Sequence, residues 1–350
     1  EPTDVSFQAA GEHARGGRWD CFLAVGGGSS IDTAKAMNLL STSGGELMDY
    51  VNKPVGKGLA PTAPLKALVA VPTTAGTGAE STPVCIMDVL GLKVKTGISH
   101  PRLRPSLAVV DPTLTYTLPP AVTAATGLDV LCHALESYTA RPYTAYRKHA
   151  PDTRVAYCGS NPVSDVWAER ALALLGRSLR RAVLIGTDPS ARADMMLAAT
   201  FAGMGFGNAG VHIPHACAYP IAGRVRDYRP PGYPQEEAIV PHGQAVAATA
   251  PAAFRFTFPT DPERHVRAAR LLAPDAPLLD DPREQLTAVV TALMRDIGAP
   301  AGLATFGYSA ADIPDLVEGT RKQQRLLAVA PTAVDADALA RIFTQSMANW

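Results

Sequence analysis

The apolar residues of this 350-residue chain follow two rhythms. Between residues 20 and 110 they come in short unbroken runs closed by Gly, Pro or Asp. The run DCFLAVGGG (20–28) predicts a buried parallel strand stopped by a glycine turn. The next segment, SSIDTAKAMNLL (29–40), puts Ile31, Ala34, Met37 and Leu40 at helical spacing behind a serine N-cap, with Asp32 in the first turn. Segments 65–71 and 107–110 predict two more strands, and 84–87 with 94–98 a hairpin. Strand, glycine turn and helix together outline a nucleotide-binding unit in an α/β domain with a largely parallel sheet. After about Pro119 the β-branched runs stop and helical periodicity takes over, at 120–140, 163–184, 190–206, 243–256, 263–272, 283–296 and 334–348. The expected division is an α/β dinucleotide-binding domain over 1–118 and an all-helical domain over 119–350. Stretches 141–162 and 224–241 read as long irregular connections, which in compact enzymes often carry function.

Composition narrows the class. Hydrophobic residues make up 47% and charged residues 18%, which excludes wholesale disorder. Lys+Arg and Asp+Glu are 32 each, so there is no basic surplus for nucleic-acid phosphates. No apolar run approaches the roughly 18 residues of a membrane span. Five cysteines without a CxxC pair point to a reducing compartment. The chain opens at Glu1 and shows no leader segment, and the expectation is that upstream sequence is missing.

Candidate chemistry lies mostly in the helical part. Asp129 and His133, in GLDVLCHALESY, are four residues apart and so share one helix face. His215 (GNAGVHIPHACAYP) and His242 (IVPHGQAV) each follow a Gly- or Pro-rich turn. Together they form an N3O donor set suited to a divalent transition metal. The plain alternative is an Asp–His surface contact with core histidines. His13, His100, His149, His212 and His265 lack such company and read as surface or supporting residues. The turn GGGSS (26–30) can cradle a pyrophosphate against a helix N-terminus, although it is not GxGxxG. PTTAGTGAE (72–80) is a second small polar loop after a strand and can line the same groove.

These motifs resemble the iron-containing (group III) alcohol dehydrogenases along nearly the whole chain. The stretch DPTLTYTLPPAVTAATGLDVLCHALESY is similar to that family's signature, with Asp129, His133 and Glu136 at its spacing. FAGMGFGNAGVHIPHACAYP and VPHGQAV look like its other metal segments. The resemblance implies Asp129, His133, His215 and His242 as ligands of Fe²⁺, with Zn²⁺ also fitting. It implies Gly27, Gly28, Ser29 and Asp32 at the cofactor phosphates, Thr73, Thr74 and Thr77 around the nicotinamide ribose, and Lys95 against the cofactor NAD(H). The fold implied is that of dehydroquinate synthase and the iron alcohol dehydrogenases.

Within the family, RVAYCGSNPVSDVWA (154–168), PERH (262–265) and GYSAADIPDLVEGT (307–320) look closest to the hydroxyacid–oxoacid transhydrogenase branch, as does Tyr219 where many members have a proton-relaying His. On the order of 100 N-terminal residues of that branch have no counterpart here, so the resemblance marks the chain as a fragment lacking the first βαβ unit. The implied reaction is 4-hydroxybutyrate plus 2-oxoglutarate to succinate semialdehyde plus 2-hydroxyglutarate, through a retained nicotinamide. An NAD-dependent alcohol dehydrogenase, a dehydroquinate synthase-like lyase and a non-enzymatic fragment are the alternatives. A homo-oligomer, a dimer, is expected. So is a cytoplasmic location in a bacterium or a mitochondrial one in a eukaryote, with no nucleic-acid or membrane partner. The substrate carboxylate requires a cation or several donors. Among 24 arginines spacing cannot choose one. Arg154 is the first candidate, with His212, three residues before His215, as the second.

Overall fold

The computed structural model describes residues 2–92, 94–148, 150 and 155–350. Along the first third run α1 (Asp4–Arg15), β1 (Cys21–Gly26), α2 (Gly28–Ser43), α3 (Leu47–Tyr50), β2 (Ala67–Pro72), β3 (Val84–Val89), β4 (Val94–Ser99) and β5 (Leu107–Ala108). Strands β1, β2 and β5 form a parallel sheet in that order, with Cys21 opposite Ala67 and Val69 opposite Leu107. Strands β3 and β4 are an antiparallel hairpin in which Asp88 faces Lys95. The expected strands are therefore present and parallel. However, β1 is covered on one face only: Phe22 and Ala24 are buried, while Leu23 and Val25 are exposed. Helix α1 left a weak sequence signal because its buried stripe is only Phe7, Gly11 and Ala14. A reciprocal cap starts it, in which Ser6 N–H donates to Thr3 Oγ1 and Thr3 N–H to Ser6 Oγ.

The remainder is helical: α4 (Pro120–Thr139), α5 (Pro162–Leu184), α6 (Pro189–Ala209), α7 (Ile213–Gly223), α8 (His242–Thr257), α9 (Pro262–Leu272), α10 (Arg283–Asp296), α11 (Ile313–Arg321), α12 (Gln324–Leu327) and α13 (Ala336–Gln345). Helix α4 is buried almost all round from Thr123 to Thr139, so it forms the axis of this part rather than an amphipathic cover. Helices α5, α6 and α8 pack about it. Their close approach depends on small residues. A Cβ on Gly243 would stand 1.8 Å from the Ala125 carbonyl oxygen and 2.9 Å from the Asp129 backbone nitrogen. Backbone cannot yield as a side chain can, so glycine there lets the first turn of α8 lie on α4 and carries His242 to Asp129. Helix α7 escaped the periodicity reading because Pro214 and Pro220 interrupt it and Gly210 and Gly223 flank it. Pro214 sits in the first turn, where its missing N–H costs no helical bond. No helix among the described residues is long and apolar enough to cross a membrane.

Candidate metal and cofactor site

Three helices bring three imidazoles around Asp129 Oδ1, and the ligand atoms of Asp129, His133 and His215 all lie within 4.8 Å of one another. Helix α4 presents Asp129 and His133 from successive turns, α7 presents His215, and His242 opens α8. Asp129 Oδ1 lies 3.6 Å from His133 Nε2, 3.5 Å from His215 Nε2 and 3.7 Å from His242 Nε2. Two ligand atoms about 2.0–2.2 Å from one tetrahedral ion stand about 3.3–3.6 Å apart, so these separations suit a shared divalent cation. Asp129 Oδ1 and His215 Nε2 are buried with no hydrogen-bond partner among the described residues. Orphaned polar atoms are costly in a protein interior unless something else satisfies them. The His133 ring is held between His215, at 4.6 Å between ring centroids, and Phe206, at 4.0 Å.

Glu136, two turns beyond Asp129 on α4, is fully buried and organises this cluster. His215 Nδ1–H donates to Glu136 Oε1 at 2.6 Å, and the backbone N–H groups of His212 and His215 donate to Oε2 at 2.6 and 3.3 Å. The carboxylate thus fixes the His215 ring with Nε2 toward Asp129, and fixes the start of α7 as well. In the sequence Glu136 figures only as part of the signature spacing with Asp129 and His133. Its place on the Asp129 face, two turns along, was the available signal.

The charges follow from burial and proximity. Burial works against ionised Asp129, but His133, His242 and His215 outweigh it and hold its carboxyl well below the usual range. Burial also opposes protonation of His215, yet Glu136 and Asp129 prevail and hold it up at about 9. Burial dominates at His133 and His242 and pushes them down to about 4 and about 3. At neutral pH two imidazoles therefore present lone pairs, and His215 carries a proton that a metal cation would displace.

The opposite wall of the same cavity, about 140 Å³, comes from the sheet part. Gly28, Ser29, Asp32, Thr77 and Lys95 line it together with Asp129, His133, His215, Tyr219 and His242. The first turn of α2 begins at Gly28 behind Gly27, which makes no side-chain cap. The expected serine N-cap is thus corrected: the helix starts earlier, and its first amides are left for an anion. Gly28 packs against Thr77, where a Cβ would meet Cγ2 at 2.5 Å. Thr73 and Thr74 are not among the residues lining the cavity. Thr73 N–H donates to Gly26 O at 2.9 Å and Thr74 lies behind Gly27, so both brace the turn. The Asp32 carboxylate accepts from Ile86 N–H at 3.0 Å and sits 3.4 Å from Lys35 Nζ, pinning α2 to β3. Burial raises the pKa of this carboxyl.

His212 departs from its expected role. It is fully buried, with Nε2 3.1 Å from Thr139 Oγ1 and its ring edge-on to Phe254, so it faces the helical interior and does not line the cavity. Arg154 and His149 lie outside the described residues. Tyr219 does reach the cavity, and burial pushes its phenol up to about 12. Lys95 Nζ stands 6.0 Å from the Tyr219 ring centroid, and burial drives its pKa down to about 7 against the pull of Asp129.

Sequence families agree with this layout. Residues 1–112 match the model of the iron-containing alcohol dehydrogenases, and residues 123–347 match that of the C-terminal part of the Fe-containing alcohol dehydrogenase family. The chain belongs to the iron-containing alcohol dehydrogenases. It is 48% identical over 352 residues to a protein of Bos taurus named hydroxyacid-oxoacid transhydrogenase, mitochondrial, covering 99% of this chain and 76% of that one. The Homo sapiens protein of the same name is 47% identical over 99% of this chain and 75% of its own length. Among solved structures, 1,3-propanediol oxidoreductase superposes with a TM-score of 0.84 at 32% identity, covering 99% of this chain and 81% of that one. Sulfoacetaldehyde reductase from Bifidobacterium kashiwanohense, solved with NAD+, gives 0.79 at 28% identity over 98% and 80%. The iron of the family's name fits the donors of this chain: three imidazoles and a carboxylate are a suitable set, and two of their atoms are otherwise orphaned.

Proposed function

We propose that this chain transfers hydride reversibly between a small hydroxy acid and an oxo acid, with Asp129, His133, His215 and His242 holding iron. Its substrates on this reading are 4-hydroxybutyrate and 2-oxoglutarate, and its products succinate semialdehyde and 2-hydroxyglutarate. The observation that carries it is the convergence of three Nε2 atoms on Asp129 Oδ1 in a cavity whose far wall is the uncapped start of α2. When bound, the metal supplies a Lewis acid that polarises the substrate's carbon–oxygen bond, and a nicotinamide retained between turnovers supplies the hydride acceptor and donor. Zn²⁺ fits the same donors.

The residues divide the work by position. The amides at Gly28 and Ser29 receive the cofactor phosphates, and Thr77 and Lys95 line the path from there to the metal donors. Phe206, Val211 and Leu326 give the cavity an apolar side that excludes water around the reacting carbon. Tyr219, with its proton held to about pH 12, orients by hydrogen bonding, whereas Lys95 Nζ can take up and release a proton near neutrality. The identity to named transhydrogenases favours this reading over a plain alcohol dehydrogenase. The test is turnover of the iron- and NAD-loaded chain. Oxidation of 4-hydroxybutyrate that requires 2-oxoglutarate and accumulates no free NADH is expected. Stoichiometric consumption of added NAD+, with no need for the oxo acid, would make it a dehydrogenase instead.

A further inference from the structure

Both substrates of the proposed reaction share a geometric feature. In 4-hydroxybutyrate the carbinol carbon is three carbon–carbon bonds from the carboxyl carbon. In 2-oxoglutarate the keto carbon is three bonds from the distal carboxyl carbon. One fixed cation, at one distance from the metal donors, can therefore serve both half-reactions. Two basic side chains other than the histidines line the cavity among the described residues, Lys95 and Arg325. Lys95 stands beside the metal donors, since its charge acts on Asp129 and His242. Arg325, on α12, does not.

We propose that Arg325 is the carboxylate anchor of this enzyme, held for that purpose by Tyr157 and Tyr219. The proposal rests on the hydroxy-acid reading above and names its specificity residue. Arg325 is half-buried. Its Nη1 donates to Tyr157 Oη at 2.6 Å, and its guanidinium carbon lies 5.1 Å from the Tyr157 ring centroid. The Tyr219 phenol lies close enough to act electrostatically on the guanidinium. Among the described residues these partners are phenols rather than carboxylates, so the positive charge is positioned but not neutralised. A guanidinium has five donors in a fixed fork, and one is spent on Tyr157, which leaves an edge for a bidentate carboxylate.

The intervening surface suits methylenes. Phe206, stacked on His133, joins Val211, Tyr157, Tyr219 and Leu326 in one buried apolar cluster, and all five line the cavity shared by the metal donors and Arg325. Tyr157 owes its place to Gly210, whose φ is +95° and where a Cβ would meet the ring at 2.7 Å. The sequence-based candidate Arg154 lies outside the described residues; Tyr157, three positions along the chain, lines the cavity and holds Arg325.

The test compares wild type with Arg325→Leu, Arg325→Lys and Tyr157→Phe in the full chain loaded with Fe²⁺ and NAD+. Calorimetric titration with butyrate reads the carboxylate alone. The expected result is a butyrate Kd raised about 10- to 100-fold in Arg325→Leu, the range for a charge-assisted hydrogen-bond pair. Arg325→Lys should be intermediate and Tyr157→Phe should lose several-fold. Single-turnover reduction of the bound nicotinamide gives the second readout. The preference for 4-hydroxybutyrate over 1-butanol should fall by the same factor in Arg325→Leu, and so should the preference for 2-oxoglutarate over butanal in reoxidation. Equal butyrate affinity in wild type and Arg325→Leu, or loss of acid preference in Lys95→Met but not in Arg325→Leu, overturns the anchor. Butyrate binding that depends on Arg325 without reaction of either acid leaves the anchor standing and removes the transhydrogenase reading.

Discussion

The two walls of the cavity are built on opposite principles. On the helical side, position is imposed by charged side chains: Glu136 grips His215 and two backbone amides, and Asp129 gathers three imidazoles. On the sheet side, position comes from what is missing: Gly27 offers no side-chain cap and Gly28 has no Cβ. The first wall is suited to a small cation that must be held at one point. The second suits a large anion that needs amides and room. If the walls are independent in this way, damage to one should leave the ligand of the other in place, and that separation can be broken experimentally.

The largest effect is expected at Asp129, the one atom site on which three imidazoles converge. Asp129→Ala should reduce iron content after dialysis below about a tenth of wild type, because the variant loses both a ligand and the charge that offsets the cation. The NAD+ dissociation constant of the metal-free protein should stay within about twofold of wild type. Elemental analysis and a cofactor titration read the two walls separately. A parallel loss of NAD+ binding would show that the walls form one cooperative unit.

The difference between the walls also explains what was legible in the sequence. Donors at Asp129 and His133 stood out because a helix repeats every 3.6 residues, and His215 and His242 because each followed a marked turn. The strands showed as apolar runs, yet the open face of β1 did not, since a run of apolar residues does not say which face a neighbour covers. Helix α7 was hidden by its prolines although it carries both His215 and Tyr219. Arg325 could not be read at all. Nothing local distinguishes it from the other arginines, and its role depends on tyrosines 168 and 106 positions away in the chain. Cavity walls assembled from distant segments leave no period.

A smaller effect, and a sharper one, concerns Glu136. Its carboxylate holds the His215 pKa above the ordinary value of about 6.5, up at about 9. In the metal-free protein this proton contributes stability that is fully present below pH 6.5 and is lost as pH rises through 9. Metal must displace the same proton, so metal affinity should climb as pH rises toward 9 and level off above it. Glu136→Gln keeps the shape and removes the charge. It should weaken metal binding about 10- to 100-fold and move the climb to lower pH. Chelator competition across a pH series measures both. An unchanged pH profile in Glu136→Gln would mean that Asp129 alone sets the His215 proton.

The smallest effect is expected at Gly28, and it decides how the sheet wall works. Gly28 lies in ordinary helical backbone, so alanine there carries no conformational strain. The new Cβ would stand 2.5 Å from Thr77 Cγ2 and 2.7 Å from Oγ1. Thr77 is a side chain and can turn aside, unlike the carbonyl facing Gly243. Gly28→Ala should therefore raise the NAD+ dissociation constant several-fold and leave iron content unchanged. Two causes would give that same loss: Thr77 pushed into the cavity, or a methyl group standing between the amides and the cofactor phosphates. The double variant Gly28→Ala/Thr77→Ser separates them, because serine lacks the Cγ2 in closest contact and keeps the hydroxyl. If affinity returns, the glycine serves packing against Thr77. If it stays low while metal binding is intact, the bare backbone at Gly28 is itself part of the anion cradle, which is the outcome expected from an N-terminus that no side chain caps.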